Sequence, residues 1–147
     1  VVRLRLLLLL LSGFVLGACR KTTVGQCDTA HRLYAQYSFP VGVAINPNEL
    51  YPGSPYQELA IAQFNSVTPE FTFKPNVLHP APADYDWAGA DTLAAFCQTH
   101  NKRLHGHTLL WHQALPRWME KFEGSQAQWE ALFKDHIQTI CRHFKGR

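Results

Sequence analysis

The sequence predicts an α/β fold, a parallel sheet covered by helices, and three observations carry the prediction. Strand-like and helix-like patterns alternate three times along the chain. Two helix starts are marked by capping chemistry: Ser54 stands before Pro55, and Ser125 stands three residues before Gln128. Residues 103–112, Arg-Leu-His-Gly-His-Thr-Leu-Leu-Trp-His, alternate as a strand does, which puts His105, His107, Leu109 and Trp111 on one face.

The elements follow in order. Asp28 can cap a helix over 28–37 that carries Leu33, Tyr34 and Tyr37 on one side, and a first strand is expected over 39–45. A turn-rich segment leads to the Ser54-Pro55 start of a helix ending near Gln63. The second strand is expected over 64–68, and 69–85 reads as a long loop that holds Pro69, Pro75, Pro80 and Pro82. Asp86 caps the next helix, where Trp87, Ala90, Leu93, Ala94 and Cys97 recur at helical spacing until His100-Asn101 ends it. The third strand follows over 103–112. Leu115-Pro116 breaks the chain. Trp129, Leu132, Phe133, His136, Ile137, Ile140, Cys141 and Phe144 then form the apolar stripe of the last helix, and Gly146 suits a left-handed cap. Trp87, Trp129 and Phe133 read as core. Cys97 and Cys141 read as buried free thiols on apolar helix faces.

Ahead of these elements, Arg3 and Arg5 precede an apolar run from Leu6 to Leu11 that continues through Phe14, Val15 and Leu16, as in an export signal over 1–18. Leu16-Gly17-Ala18-Cys19 resembles a bacterial lipobox, which makes Cys19 the expected lipidation site and 19–27 a tether. Ordinary cleavage after Ala18 is the alternative. The protein is therefore expected at the cell envelope or secreted, touching a membrane only through that anchor. At 46% hydrophobic and 17% charged residues, the composition fits one globular unit. Without residues 1–18, 12 lysines and arginines face 11 acids, a net charge of +1 that excludes a nucleic-acid footprint. No C-x-x-C pair exists to hold a metal, and no cofactor is expected.

The chemistry of 103–112 points to sugar. An imidazole hydrogen-bonds hydroxyls, and a flat indole stacks on the C–H face of a pyranose. Three blocks extend this reading: Val41-Gly42-Val43-Ala44-Ile45-Asn46, Phe64-Asn65-Ser66-Val67-Thr68-Pro69-Glu70 with Lys74, and Gly106-His107-Thr108-Leu109-Leu110-Trp111-His112. In order and spacing they resemble glycoside hydrolase family 10, the endo-1,4-β-xylanases. Asp86-Trp87-Ala88-Gly89-Ala90-Asp91 and Leu115-Pro116-Arg117-Trp118 resemble neighbouring segments of that family, so the likeness runs over 28–147.

The resemblance implies the N-terminal part of a TIM (β/α)8 barrel, about three βα units and incomplete, with its site at the C-terminal ends of the strands. It implies that Glu70, Lys74, His107 and Trp111 hold xylan or xylo-oligosaccharide units on the non-reducing side of the scissile bond. His112 is expected to pack or to support the binding residues from behind rather than to touch the sugar. Where the family follows its second-strand glutamate with asparagine, this chain has Phe71, which makes no amide hydrogen bonds, and Pro75 suggests a rerouted loop. A retaining glycosidase needs two carboxyl groups, which this family supplies from its fourth and seventh strands. Neither strand is in the sequence, so no catalytic residue is assigned, and the 147-residue chain is expected to be inactive alone and to be the front portion of a larger xylanase. Two other classes stay open: a non-catalytic glycan-binding lipoprotein, and a metal-dependent hydrolase using His105 and His107.

Overall fold

The computed structural model describes residues 31–147. The expected signal over 1–18, the Cys19 lipidation site, the 19–27 tether and the Asp28 cap lie outside the described residues.

Three parallel strands form one sheet in the order β1 (Gly42–Ile45), β2 (Ser66–Pro69) and β3 (Arg103–Leu104). Between them run α1 (Pro55–Gln63), the single turn α2 (Pro75–Leu78) and α3 (Ala88–Thr99), and after β3 come α4 (Arg117–Glu120) and α5 (Gln126–His143). This is the βα alternation of an incomplete (β/α)8 barrel, each crossover returning the chain to an adjacent parallel strand.

The register gives the sheet one apolar row. Val43 pairs with Val67, and Val67 with Leu104. Val67 is wholly buried, and the row packs with Ile45 against Ala60 of α1 and Leu93, Phe96 and Cys97 of α3. The other face is close-fitting between strands: a Cβ on Gly42 would stand 3.3 Å from Ser66 Cβ. A second cluster lies beyond the strand ends, where Phe73, Leu78, Ala90 and Ile140 are joined by Leu104, Leu109 and Phe144.

The helix ends use the chemistry read from the sequence. Ser54 is fully buried at the N-cap of α1, its hydroxyl accepting from Gln57 N at 3.4 Å, and Pro55 occupies the first helical position. At the other end of α1, Lys102 Nζ donates to Ile61 O at 3.0 Å and Phe64 O at 2.6 Å, a cation on the helix's negative end. Burial pulls that ammonium below its ordinary pKa. Asp86 accepts from Ala88 N at 3.1 Å, and α3 stops where Asn101 turns left-handed with φ of 50°. Gln128 accepts from Ser125 N at 2.8 Å to open α5, and Gly146 takes φ of 82° beyond its end.

Four expectations need correction. Within 31–37 the backbone makes only the 3-10 turn Leu33–Gln36, with Leu33 and Tyr37 exposed, because among the described residues no element packs over the apolar side expected of a helix. Strand β1 begins at Gly42, after Phe39 and Pro40, since proline cannot donate to a ladder. The 69–85 loop contains α2, which Pro75 opens: Lys74 takes the extended conformation that a residue before proline favours, and Leu78 is fully buried. Most consequential, β3 is two residues long. His107 N bonds back to His105 O at 2.9 Å and Leu109 turns into the second core, so 105–112 is an irregular loop without strand alternation.

The helical side chains differ in smaller ways. Cys97 is buried, but Cys141 is exposed, because only His136 and Ile140 of the last helix are covered fully. Both thiols are free. Trp87, Trp129 and Phe133 are half-buried. His112 is exposed beside a shallow hollow formed with Leu110, Trp111 and Phe133, which does not fit the packing alternative; its contact with that hollow leaves the supporting alternative open.

Candidate functional site

The strand ends fix where the polar groups meet. Ile45 and Pro69 are register partners at the C-terminal ends of β1 and β2, so the next residues, Asn46 and Glu70, emerge side by side. Asn46 Nδ2 donates to Glu70 Oε2 at 2.5 Å, and Glu70 N donates to Ile45 O at 3.3 Å. Asn46 is itself oriented by a capping box in which its N–H donates to Glu49 Oε2 at 2.9 Å. One carboxylate is thus aimed outward at the rim with one amide donor already on it.

Four residues on, the chain has turned back: Lys74 N donates to Phe71 O at 2.8 Å, which places the lysine stem beside the phenylalanine. Lys74 Nζ lies 4.2 Å from the Phe71 ring centroid and 5.3 Å from that of Trp111. These are cation–π distances. His107 meets the same indole edge-on, centroids 6.2 Å apart at 63°. Lys74, Trp111 and His107 are therefore one contact group, and Glu70 with Asn46 forms a second on the same rim. Among the described residues no ion pair joins Glu70 to Lys74, so the lysine is held by ring faces.

Next to Phe71 lies a groove of about 330 Å3 bounded by Asn46, Asn48, Thr72, Val77 and Asp86. It is tight at its floor: a Cβ on Gly89 would come within 2.6 Å of Thr72 Cγ2. Such a rim offers hydrogen-bonding groups of both kinds beside flat apolar faces, which suits a polyhydroxylated ring. His105 and His107 are both exposed on a sharply bent segment, and among the described residues no group of three metal-ligating side chains exists.

Two parts of this arrangement were missed in the sequence. Asn46 closes a strand motif, and a polar residue immediately after one strand is a natural partner for the residue immediately after the next. His136 stands in the apolar stripe of the last helix, and the local pattern gives His79 no partner. Both are buried beneath the loop, His136 completely, with Nδ1 atoms 2.9 Å apart. No local periodicity joins residues 57 positions apart.

Known proteins share this architecture. A sequence model of glycosyl hydrolase family 10 matches residues 30–147. A β-1,4-xylanase of Dictyoglomus thermophilum is 34% identical over 142 residues, covering 96% of this chain and 39% of that protein. Endo-1,4-β-xylanase B of Thermotoga neapolitana is 33% identical, covering 96% of this chain and 40% of its own. Among solved structures, the intracellular xylanase of Thermoanaerobacterium saccharolyticum superposes with a TM-score of 0.73 at 31% identity, covering 77% of this chain and 37% of that one. Xylanase 10B of Thermotoga petrophila in complex with xylobiose gives 0.65 at 34% identity, covering 73% and 33%. The chain thus spans about two fifths of the length of the first two relatives.

Proposed function

The chain belongs to glycosyl hydrolase family 10, and from that premise we propose that the whole protein is an endo-1,4-β-xylanase that cleaves internal β-1,4-xylosidic bonds of xylan with retention. The described residues supply sugar binding on the non-reducing side of the cleaved bond. The observation that carries this reading is the gathering of Lys74, Trp111 and His107 into one contact group beside the Glu70–Asn46 pair, at the end of the sheet where barrel enzymes keep their sites.

Each group has a task in that role. Trp111 offers its indole to the C–H face of a xylose unit, while Lys74 and His107 donate to its hydroxyls. Glu70, steadied by Asn46, accepts from a further hydroxyl. Binding energy from these units helps to distort the unit at the cleaved bond toward its oxocarbenium-like transition state.

The two reacting carboxylates, about 5 to 5.5 Å apart in a retaining enzyme, are assigned outside the described residues. Glu120, Glu130 and Asp135 sit on α4 and α5, and Glu70 is committed to Asn46. The reading extends to export through residues 1–18 and lipid attachment at Cys19, supported by Arg3, Arg5 and the leucine run. Palmitate labelling that persists in Cys19→Ser would end the lipidation part.

The test is hydrolysis of xylohexaose by the full-length protein, with the anomer of the first product followed by NMR. Release of β-anomer, and a loss of kcat/KM of about tenfold or more in Trp111→Ala, is the expected result. Unchanged kinetics in Trp111→Ala would remove the indole from the site, and release of α-anomer would exclude retention.

A further inference from the structure

Between Gly106 and Gln113 the loop that carries His107 and Trp111 has almost no backbone bonding of its own. His107 N reaches only His105 O, Thr108 Oγ1 reaches Leu110 O at 3.4 Å, and Ala114 N closes a turn on Trp111 O at 3.0 Å. Among the described residues a single hydrogen bond reaches residues 106–113 from outside the loop and its flanks: His136 Nε2 to Leu109 O at 2.8 Å. Leu109 stands two residues from His107 and two from Trp111, so the bond grips the loop at its midpoint.

The protonation pattern of that grip follows from the partners. A carbonyl only accepts, so the proton sits on His136 Nε2, and burial, which lowers this imidazole's pKa, keeps it neutral with a bare Nδ1. That bare nitrogen is 2.9 Å from His79 Nδ1, which must then be the donor. A neutral His79 that donates from Nδ1 has a bare Nε2, and His79 Nε2 is a buried polar atom with no partner. The chain therefore runs one way, from His79 through His136 to the Leu109 carbonyl.

His79 is held in turn from every side. Tyr85 stacks on it with centroids 4.0 Å apart, Trp118 packs edge-on at 4.7 Å, and Trp118 Nε1 donates to His79 O at 3.0 Å. Turn α2, helix α4 and helix α5 thus all bear on one carbonyl of the loop.

We propose that His136 is a positioning residue for the sugar-binding loop, with His79 fixing its tautomer, so that the buried pair sets the placement of His107 and Trp111 against the sugar. The inference rests on the reading of those two residues as sugar-binding groups.

The experiment uses the full-length protein. Glutamine reproduces the Nε2 donor of histidine, leucine removes it, and asparagine is too short to reach Leu109 O. His136→Leu and His136→Asn should each raise KM for xylotetraose about tenfold, as loss of positioning does, while His136→Gln should stay within about threefold of the parent. A purely structural role would show as lost stability without that rescue. In parallel, 15N-histidine NMR of the unsubstituted protein should give a protonated Nε2 and bare Nδ1 for His136, and the reverse for His79. Equal KM values across the variants, no advantage of glutamine over asparagine, or any other ring-nitrogen pattern would overturn the proposal. Failure of the parent protein to cleave xylo-oligosaccharides while the ring pattern holds would instead count against the function proposed above.

Discussion

Lys74 Nζ stands 4.2 Å from the Phe71 ring centroid and 5.3 Å from that of Trp111, so one ammonium is shared between two aromatic faces contributed by different loops. Phe71 carries no hydrogen-bonding group in its side chain, but its ring restrains the lysine proposed above as a donor to the sugar. An exposed cation–π contact contributes about 0.5 to 1 kcal/mol.

Phe71→Ala in the full-length protein should therefore raise KM for xylo-oligosaccharides about two- to fivefold with little change in kcat. Lys74→Met keeps the stem and removes the donor, and should lower kcat/KM further than Phe71→Ala does. Steady-state kinetics on xylotetraose separates the two. A larger loss for the phenylalanine than for the lysine would contradict this order.

Burial, with the neighbouring His136 second, lowers the His79 pKa from 6.5 to about 4. Between those values the unfolded chain takes up a proton that the folded state refuses, so the pair's contribution to stability is complete above pH 6.5, falls as the pH drops toward 4, and changes no further below that. Urea midpoints of the full-length protein from pH 7.5 to 4 should show this decline. His79→Asn should flatten it; an equally steep decline in that variant would assign it to other groups.

Lys102 should be costly to neutralise. Lys102→Met leaves two carbonyls at the end of α1 without their charged donor, which costs about 1.5 to 3 kcal/mol per such hydrogen bond at most. Equilibrium unfolding should record a loss of that order, and a loss below about 0.5 kcal/mol would mean that water takes over both carbonyls.

The cysteines should separate by reactivity. Burial raises the Cys97 thiol to about 11, so about one molecule in a thousand carries the thiolate at pH 8, whereas Cys141 is exposed. Iodoacetamide followed by site-resolved mass spectrometry should modify Cys141 in the folded protein and reach Cys97 only in denaturant. Equal modification of both would disprove the burial of Cys97.

What could be read in the sequence was what local chemistry decides. Ser54-Pro55, Ser125 with Gln128, Asn101 and Gly146 each set a helix boundary through their own side chain or backbone freedom, and each boundary is where it was expected. The parallel order of the strands followed from their alternation with helices. The 103–112 segment misled because its period of two is real in composition while its backbone answers to distant partners: Phe73 beneath Gly106, the second core around Leu109, and His136 on the Leu109 carbonyl. The four sugar-binding candidates came from the family resemblance together with residue type, and the structure draws three of them into contact. Their supports Asn46, His79 and His136 were less visible because each acts across the chain.

The reach of Lys102 across to α1 has a practical meaning for anyone recombining this scaffold with another barrel. A crossover placed between residues 64 and 102 would take the ammonium from one parent and its two carbonyls from the other, and an inherited mismatch there would leave partly buried carbonyls without their charged donor. The stretch from Pro55 to Lys102 is consequently best exchanged whole, as the smallest cassette in which α1 keeps the cation at its end.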